Sequence, residues 1–421
     1  MKLTTKILIA MMLGILVGVT FNILKDSNLV EIPLIDIFDS FVIEGLFEVI
    51  GKIFVASLKM MVVPLVFISL VLGTSALGNN TRMGPMAGKA ILLYLITTSI
   101  AISLAIIMAN AVDPGVGMDR STDVEFIGKE APPLKEVFVE MVPTNPVLAM
   151  AEGNMLQIII FSILMGIALS KVGEKGKQVL QVFESANVIV MKMVLILMHL
   201  APIGVFALLA RLFSEIGITA IWDLAAYFFT VLFVLLLHGT IIYGTFIAVF
   251  GKLSAIQFFY NVKPAIIFAF STASSNATIP VSMEVAEKRQ GVSKSISSFV
   301  VPLGATINMD GTAIMQGVAT VFIAQAYNVE IGLAGYLTVI LTATLASIGT
   351  AGVPGVGLIM LSMVLQQVGL PVEGIALILG VDRLLDMVRT SVNVTGDSMV
   401  STIVAKSENL LNDTTFHSRQ D

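Results

Sequence analysis

Apolar residues run in blocks of bilayer-spanning length along most of the chain, at about 7–24, 41–77, 87–112, 144–173, 178–214 and 221–251. Several exceed the ~20 residues that a straight span requires, which predicts long tilted or broken helices. Beyond about 255 the pattern changes and then repeats. A first pair of apolar arms, 255–285, is interrupted by Ser274-Ser275-Asn276-Ala277-Thr278-Ile279-Pro280, and a helix over 295–327 carries Asn308-Met309-Asp310-Gly311-Thr312. A second pair, 333–369, is interrupted by Gly349-Thr350-Ala351-Gly352-Val353-Pro354-Gly355-Val356-Gly357, and a last helix over 373–404 carries Asp382, Asp386, Arg389, Asn393 and Asp397. No charge lies between Glu330 and Glu373. Non-helical backbone at membrane depth is tolerated only where it is buried in protein or lines a cavity, so each interrupted pair reads as a re-entrant hairpin. Matched interruptions in two halves point to a transporter site near the bilayer midplane. The expected fold is an all-α polytopic membrane protein with eight transmembrane helices, two re-entrant helical hairpins and inverted repeats.

Composition agrees. Of 421 residues, 56% are hydrophobic and 13% charged, with mean hydropathy +0.95; soluble domains carry about 25% charged residues. A soluble enzyme with one anchor is excluded. With no cysteine, so are disulfides, thiolate metal sites and cysteine nucleophiles. A net charge of -5 without a basic run gives no reason to expect a nucleic-acid partner. Met1-Lys2-Leu3-Thr4-Thr5-Lys6 and the apolar run after it read as a first membrane helix rather than a signal peptide, since no small-residue cleavage site precedes a soluble domain.

Loop charge sets the orientation. Arg82 stands without an acid in 74–88, Lys171, Lys175 and Lys177 outnumber Glu174, and Lys288, Arg289 and Lys294 cluster after the first hairpin. By contrast 25–40 sets Lys25 against four acids, and 113–140 is acidic. The positive-inside rule then places both termini in the cytoplasm of a cell membrane, with the first hairpin entering from inside and the second from outside. Boundaries in 144–214 are blurred by Pro146, Gly153 and Pro202. Trp222 and Tyr227 read as an interfacial belt, and the 23 methionines as lipid-facing and core filler. His199 and His238 read as packed or interfacial histidines away from the polar stripe, and the segment after Lys406 as a disordered tail.

At about 100° per residue, Asp382, Asp386, Arg389, Asn393 and Asp397 fall near 0°, 40°, -20°, 20° and 60°, a single stripe with Thr390 at its edge. Ionisable groups inside a span cost about 2.5–3.5 kcal/mol each on insertion scales and usually mark an ion or substrate path. The alternative is an internal ion-pair network through Arg389. Counting Asp310, three acids on the stripe plus one leave a net -3 against Arg389, to be offset by cations or protons. Gly311 beside Asp310 suggests a break whose freed carbonyls, with carboxylates, suit hard cations. The planar fork of Arg389 suits a carboxylate and Asp386 an ammonium, a pairing fit for an amino acid with a second carboxylate. Ser275 and backbone N–H groups at the hairpin tips would serve the other carboxylate.

The strings SSNATIP, PLGATINMDGTA, ASIGTAGVPGVG and DRLLDMVRTSVNVTGD resemble the dicarboxylate/amino acid:cation symporter family, which includes archaeal aspartate transporters, bacterial glutamate transporters and animal excitatory amino acid transporters. The resemblance extends to LKMMVVPLVFISLVLG and APIGVFAL, nearly the whole chain. It implies that Asp386 holds the substrate amino group, Arg389 its side-chain carboxylate, and Asn393 with Ser275, beside Ser274, the main-chain carboxylate. Thr312 and Thr390 would line the pocket, with Val353 and Gly357 closing over it. Sodium would sit with Gly304, Asn308, Asn393 and Asp397; with Thr306 and carbonyls of Ser347, Ile348 and Thr350; and with Tyr94, Thr97, Thr98, Asn308 and Asp310. The family is trimeric and moves like an elevator. On that basis 1–78 holds scaffold helices 1–2, 79–112 transport-domain helix 3, 113–218 an extracellular loop with scaffold helices 4–5, 219–404 the transport domain and 405–421 a cytoplasmic tail.

Two positions depart from the family's patterns. Ala273 stands where archaeal members resemble one another in an arginine, and Met387 where animal members have a base. Arg383, one turn before Met387, could replace that base or anchor the membrane end; a potassium return step stays open. The implied activity is sodium-coupled symport of glutamate or aspartate. The alternatives are proton coupling through Asp310, Asp382 or Asp397, a neutral amino acid or dicarboxylate as substrate, and an anion channel. An enzyme is not expected, because no nucleophile–base set is recognisable.

Overall fold

The computed structural model describes residues 3–26, 39–77, 84–117, 139, 142–216, 220–348, 352 and 355–418. Helix α1 spans Leu3–Asp26; a π-helical turn, Asp39–Phe47, leads into α2, Glu48–Leu77; α3 spans Gly84–Val112. In the blurred region each punctuating residue has a definite role. Pro146 opens the short α4 (Pro146–Glu152) behind an Asn145 cap, where its missing N–H has no intrahelical partner to lose. Gly153 closes α4 at φ 72°, the left-handed conformation that glycine adopts without a Cβ clash. Asn154 caps α5, Met155–Lys171. Pro202, by contrast, sits inside an unbroken α6, Glu174–Ile216, whose 43 residues rise roughly 65 Å. Such a helix is far longer than a bilayer core and must tilt or project from it.

Helix α7, Ala220–Leu237, continues through a π turn His238–Ile242, one α turn Tyr243–Phe246 and a second π turn Ile247–Gly251. Then come the two expected helix pairs. Helices α8 (Ala255–Thr272) and α9 (Ser275–Lys288) join at Ala273, φ 49°, and Ser274, whose side chain accepts from Ala277 N as the cap of α9. Helix α10, Lys294–Ile307, stops at Asn308 and Met309, and α11, Asp310–Ala326, starts directly after them. The break therefore falls just before Asp310, which opens the new helix where the macrodipole favours an acid. Helices α12 (Leu333–Ser347) and α13 (Val356–Gln367) flank the second interruption, and α14, Ile375–Ser407, runs through the centre.

Among the described residues, five segments are long and apolar enough to cross a membrane: Thr5–Lys25, Ser40–Ser75, Pro85–Val112, Glu174–Leu197 and Leu224–Gly251. The protein is an all-helical, multi-pass membrane protein. Its outer helices pack as α1 on α6, with α2 against α5 and α6; the polar helices pack as α14 on α8, α10 and α11, with α3 against α11. Helix α13 lies on α2 and joins the two groups. Burial follows the same division: nearly every residue of α11 and of α14 from Arg389 to Ala405 is buried, whereas α1 and the first half of α6 keep Leu13, Leu16, Val182 and Val188 exposed, as lipid contact requires.

Two expectations need correcting. Tyr227 is not interfacial: it is fully buried, its ring centroid 5.1 Å from that of Phe322. The side chain of Trp222 lies outside the described residues. The segment after Lys406 is not disordered as far as Ser418. Leu411 pairs with Val292, Lys406 bridges Asp413 at 2.6 Å, and buried Phe416 offers its carbonyl to Asn261 Nδ2 at 2.9 Å. Two apolar residues anchor this polar segment: Leu411 packs against the core, and Phe416 ties it to α8. His199 is exposed and bonds the Leu195 carbonyl, as expected of a histidine in an apolar helix.

Gly311 sets the approach of α11 to α14: a β-carbon there would lie 2.5 Å from Arg389 O and 2.8 Å from its Cα. The obstacle is backbone, so Gly311→Ala is expected to destabilise by about 1–3 kcal/mol, the usual range for overpacking. Gly88 in α3 faces open space, and Gly88→Ala should hold or raise stability, since alanine is favoured in a helix by about 1 kcal/mol. Thermal unfolding of the two detergent-purified variants checks the contrast.

Candidate functional site

The polar stripe of α14 is buried along its length, and each group on it meets a different neighbour. Arg389, 1% exposed, donates from Nη1 to Asp382 Oδ1 at 2.7 Å and from Nη2 to Asp386 Oδ1 at 2.8 Å. Asp386 Oδ2 also accepts from Arg383 Nη1 at 3.2 Å. This end of the stripe is thus balanced, two acids against two guanidinium groups. Arg389 is held by both acids, the network weighed as the alternative reading of the stripe, and Arg383 takes a part in the site rather than serving only as an end anchor. A substrate carboxylate can reach the Arg389 fork only by loosening one of these pairs. The guanidinium is not fully satisfied, since Nε has no partner.

A cavity of ≈ 20 Å³, room for about one water, gathers most of the residues expected at the substrate. Ser275, Thr312, Gly357, Asp386, Thr390 and Asn393 all line it, and Arg389 Nη2 would lie 3.4 Å from a β-carbon on Gly357. Thr390 Oγ1 bonds Asp386 O at 2.8 Å, and Asn393 Oδ1 accepts from Gly311 N at 2.7 Å. Ser274 instead faces across to the second hairpin. Its Oγ donates to Gly352 O at 2.8 Å, and the same carbonyl accepts from Asn276 N at 3.0 Å. Val353 and Thr350 lie outside the described residues. The hairpin tips therefore touch beside a pocket that, as it stands, is too small to hold an amino acid. The groove along Tyr260, Lys263 and Arg289, at ≈ 520 Å³ the larger opening, lies on the outer face of α8 and shares no lining residue with this pocket.

One to two turns along α14 the balance of charge is lost. Asp397 Oδ1 accepts from Asn308 Nδ2 at 2.9 Å, and Asn308 Nδ2 also reaches Asn393 O at 3.1 Å. Asn308 Oδ1 is buried with no partner, an orphaned acceptor of the kind a hard cation satisfies. Gly304 leaves the space around it open: a β-carbon there would collide with Asp397 Oδ1 and Tyr94 OH. Tyr94 OH donates to Val300 O at 3.1 Å and Thr97 Oγ1 to Tyr94 O at 3.0 Å. Asp310 accepts from Thr98 Oγ1 at 2.5 Å and from Tyr243 OH at 2.8 Å. The expected sodium residues of α3, α10, α11 and α14 thus converge on two carboxylates, Asp310 and Asp397, that face no lysine or arginine among the described bonds. Around the second interruption, Ser347 Oγ bonds the Ile307 carbonyl and accepts from Met309 N at 3.1 Å, Ile348 is buried beside it, and Thr306 Oγ1 turns to Leu303 O at 2.9 Å.

His238 is packed, as expected, but it has a polar partner that sequence reading did not offer: Nε2 lies 3.2 Å from Asp310 Oδ2, both side chains fully buried. Tyr243 was likewise missed. The available signal was the spacing of two polar-tipped residues five apart in an otherwise apolar run, which no α-helical periodicity flags.

Comparison of the sequence with known proteins identifies the family. The sequence pattern of the sodium:dicarboxylate symporter family matches residues 3–407. The chain is 36% identical to the proton/glutamate-aspartate symporter of Escherichia coli (strain K12) over 419 residues, 97% of this chain and 93% of that protein. It is 36% identical to the proton/sodium-glutamate symport protein of Geobacillus stearothermophilus over 378 residues, 86% of this chain and 88% of that one. With the C4-dicarboxylate transport protein of Bacillus subtilis (strain 168) it shares 32% identity over 417 residues, 97% and 94% of the two chains. Buried acids, broken helices and sequence lead to one conclusion: the chain belongs to the sodium:dicarboxylate symporter family, and it is a transporter rather than an enzyme.

Proposed function

We propose that the protein is a secondary active, sodium-coupled symporter of acidic amino acids, L-glutamate or L-aspartate. The observation that carries this reading is the unbalanced pair Asp310 and Asp397 beside the orphaned Asn308 Oδ1. Two buried carboxylates with no lysine or arginine among their described bonds are costly in a low dielectric, and bound cations relieve that penalty. One turn away, Asn393 forms part of both this region and the cavity wall. Sodium bound at Asn308 and Asp397 would hold Asn393 in place for the substrate carboxylate, while Asp386 takes the ammonium and Arg389 the side-chain carboxylate. Cooperativity between sodium and substrate follows and is mutual by linkage, typically a factor of about 5–150 in affinity.

The rest of the reading concerns motion and assembly. The helix-pair group, residues 219–404 with 79–112, would act as the moving transport domain, and 1–78 with 113–218 as the scaffold of a homotrimer, working as an elevator. Both termini would face the cytoplasm, with eight spans and two re-entrant hairpins. Proton coupling is the second reading, favoured by the Escherichia coli relative, a proton/glutamate-aspartate symporter; Asp310, Asp382 or Asp397 would then carry the proton. A C4-dicarboxylate substrate is the third, favoured by the Bacillus subtilis relative.

Uptake of radiolabelled aspartate into proteoliposomes separates these readings. An inward sodium gradient at equal pH on both sides should drive accumulation, and a proton gradient in sodium-free buffer should not; the reverse result selects proton coupling. Calorimetric aspartate affinity should rise steeply with sodium, and indifference to sodium would remove the coupling scheme. Arg389→Cys is expected to reduce aspartate uptake at least 100-fold while the purified protein keeps its trimer elution. Asp386→Asn should abolish aspartate uptake as well, whereas a dicarboxylate carrier would lose little succinate uptake on the same change.

A further inference from the structure

Three side chains hydrogen-bond to Asp310, all of them buried. Its Oδ1 accepts from Thr98 on α3, and its Oδ2 from both Tyr243 and His238 on the π-helical continuation of α7. With Asp310 as a carboxylate, which only accepts, the imidazole presents Nε2–H to it. The turn His238–Ile242 makes this double approach possible. In an α-helix, residues five apart diverge by about 140° at 100° per residue. A π turn, which bonds i to i+5, winds more slowly and brings them much closer to one face. His238 and Tyr243 therefore reach one oxygen from one helix, their rings edge-to-face with centroids 4.8 Å apart. Room for Tyr243 depends on α14: a β-carbon at Gly396 would stand 2.6 Å from Tyr243 OH and 2.5 Å from Asn308 Nδ2.

The other side of the imidazole is unusual. His238 Nδ1 is buried and has no hydrogen-bond partner, so the ring has a single polar anchor, and that anchor is the carboxylate. Its bond is the longest of the three, 3.2 Å against 2.8 Å and 2.5 Å. Of the three donors, the imidazole is the one whose release breaks the least.

We propose that His238 is a positioning residue that sets the cation affinity of the Asp310 site, because its Nε2–H occupies Oδ2 and must yield when a cation is coordinated there. The inference rests on the sodium-coupled reading above. Cation and imidazole compete for one oxygen lone pair, so the histidine weakens ion binding and keeps the carboxylate satisfied before the ion arrives. This tunes the site to release its ion as well as to capture it.

Removing the donor should tighten sodium binding. The readout is the sodium concentration giving half-maximal thermal stabilisation of the full-length, detergent-purified protein without substrate, at constant pH and with choline holding ionic strength. His238→Ala, and His238→Leu, which fills the space without a donor, should lower that concentration on the order of tenfold, the scale of one hydrogen bond to a charged group. His238→Gln, which keeps an N–H near the Nε2 position, should restore the wild-type value. If Ala and Leu leave the value unchanged or raise it, or if Gln shifts it as they do, the inference is overturned. If the wild-type protein shows no stabilisation by sodium at all, the sodium reading itself fails, a distinct result. Should Ala not fold, Leu and Gln together still decide.

Discussion

Two carboxylates buried side by side with a set of oxygen donors, and with no guanidinium or ammonium among their bonds, are the constraint around which this protein is built. An unpaired charge in a membrane interior is tolerated only when something regularly neutralises it. Much of the local architecture serves to keep Asp310 and Asp397 accessible yet bonded. The break at Asn308 and Met309 puts a helix N-terminus at Asp310, Gly304 leaves space, and Thr98, Tyr243 and His238 supply donors. The contrast lies on the same helix, where Asp382 and Asp386 are matched by Arg389 and Arg383. A self-neutralised end of the stripe thus sits beside a region whose two acids have no lysine or arginine among their described bonds.

Asn308 and Asn393 connect the two. Asn308 Nδ2 bonds both Asp397 and the Asn393 carbonyl, and Asn393 Oδ1 in turn accepts from Gly311 N at the cavity wall. An ion that draws on Asn308 Oδ1 acts on groups within two bonds of the substrate pocket. Coupling of this kind needs no long path through the fold.

Much of this was legible before any coordinates. The one-sided stripe on α14 follows from spacing alone, and the helix breaks follow from Ser, Gly and Pro punctuation in apolar arms. What sequence could not reveal depended on geometry that changes the helical repeat or spans long separations. His238 reaches Asp310, 72 positions away, only because a π turn rotates it, and α-helical periodicity turns it elsewhere. Tyr227 looked interfacial because its hydroxyl suggested water, but packing on Phe322 wins. The tail looked unstructured by composition, yet Leu411 packs against the core, and Phe416 finds a buried seat with its carbonyl accepting from Asn261. Arg383 could be read as an anchor until its distance to Asp386 was known.

The meeting of the hairpins has a thermodynamic corollary. A single oxygen, that of Gly352, receives both Ser274 Oγ and Asn276 N–H. Whichever tip separates from the other, the same two bonds are severed, so this contact opposes either movement equally and favours neither. Vectorial work must then come from the solute and ion concentrations on the two faces, with the clasp acting only as a brake against leakage.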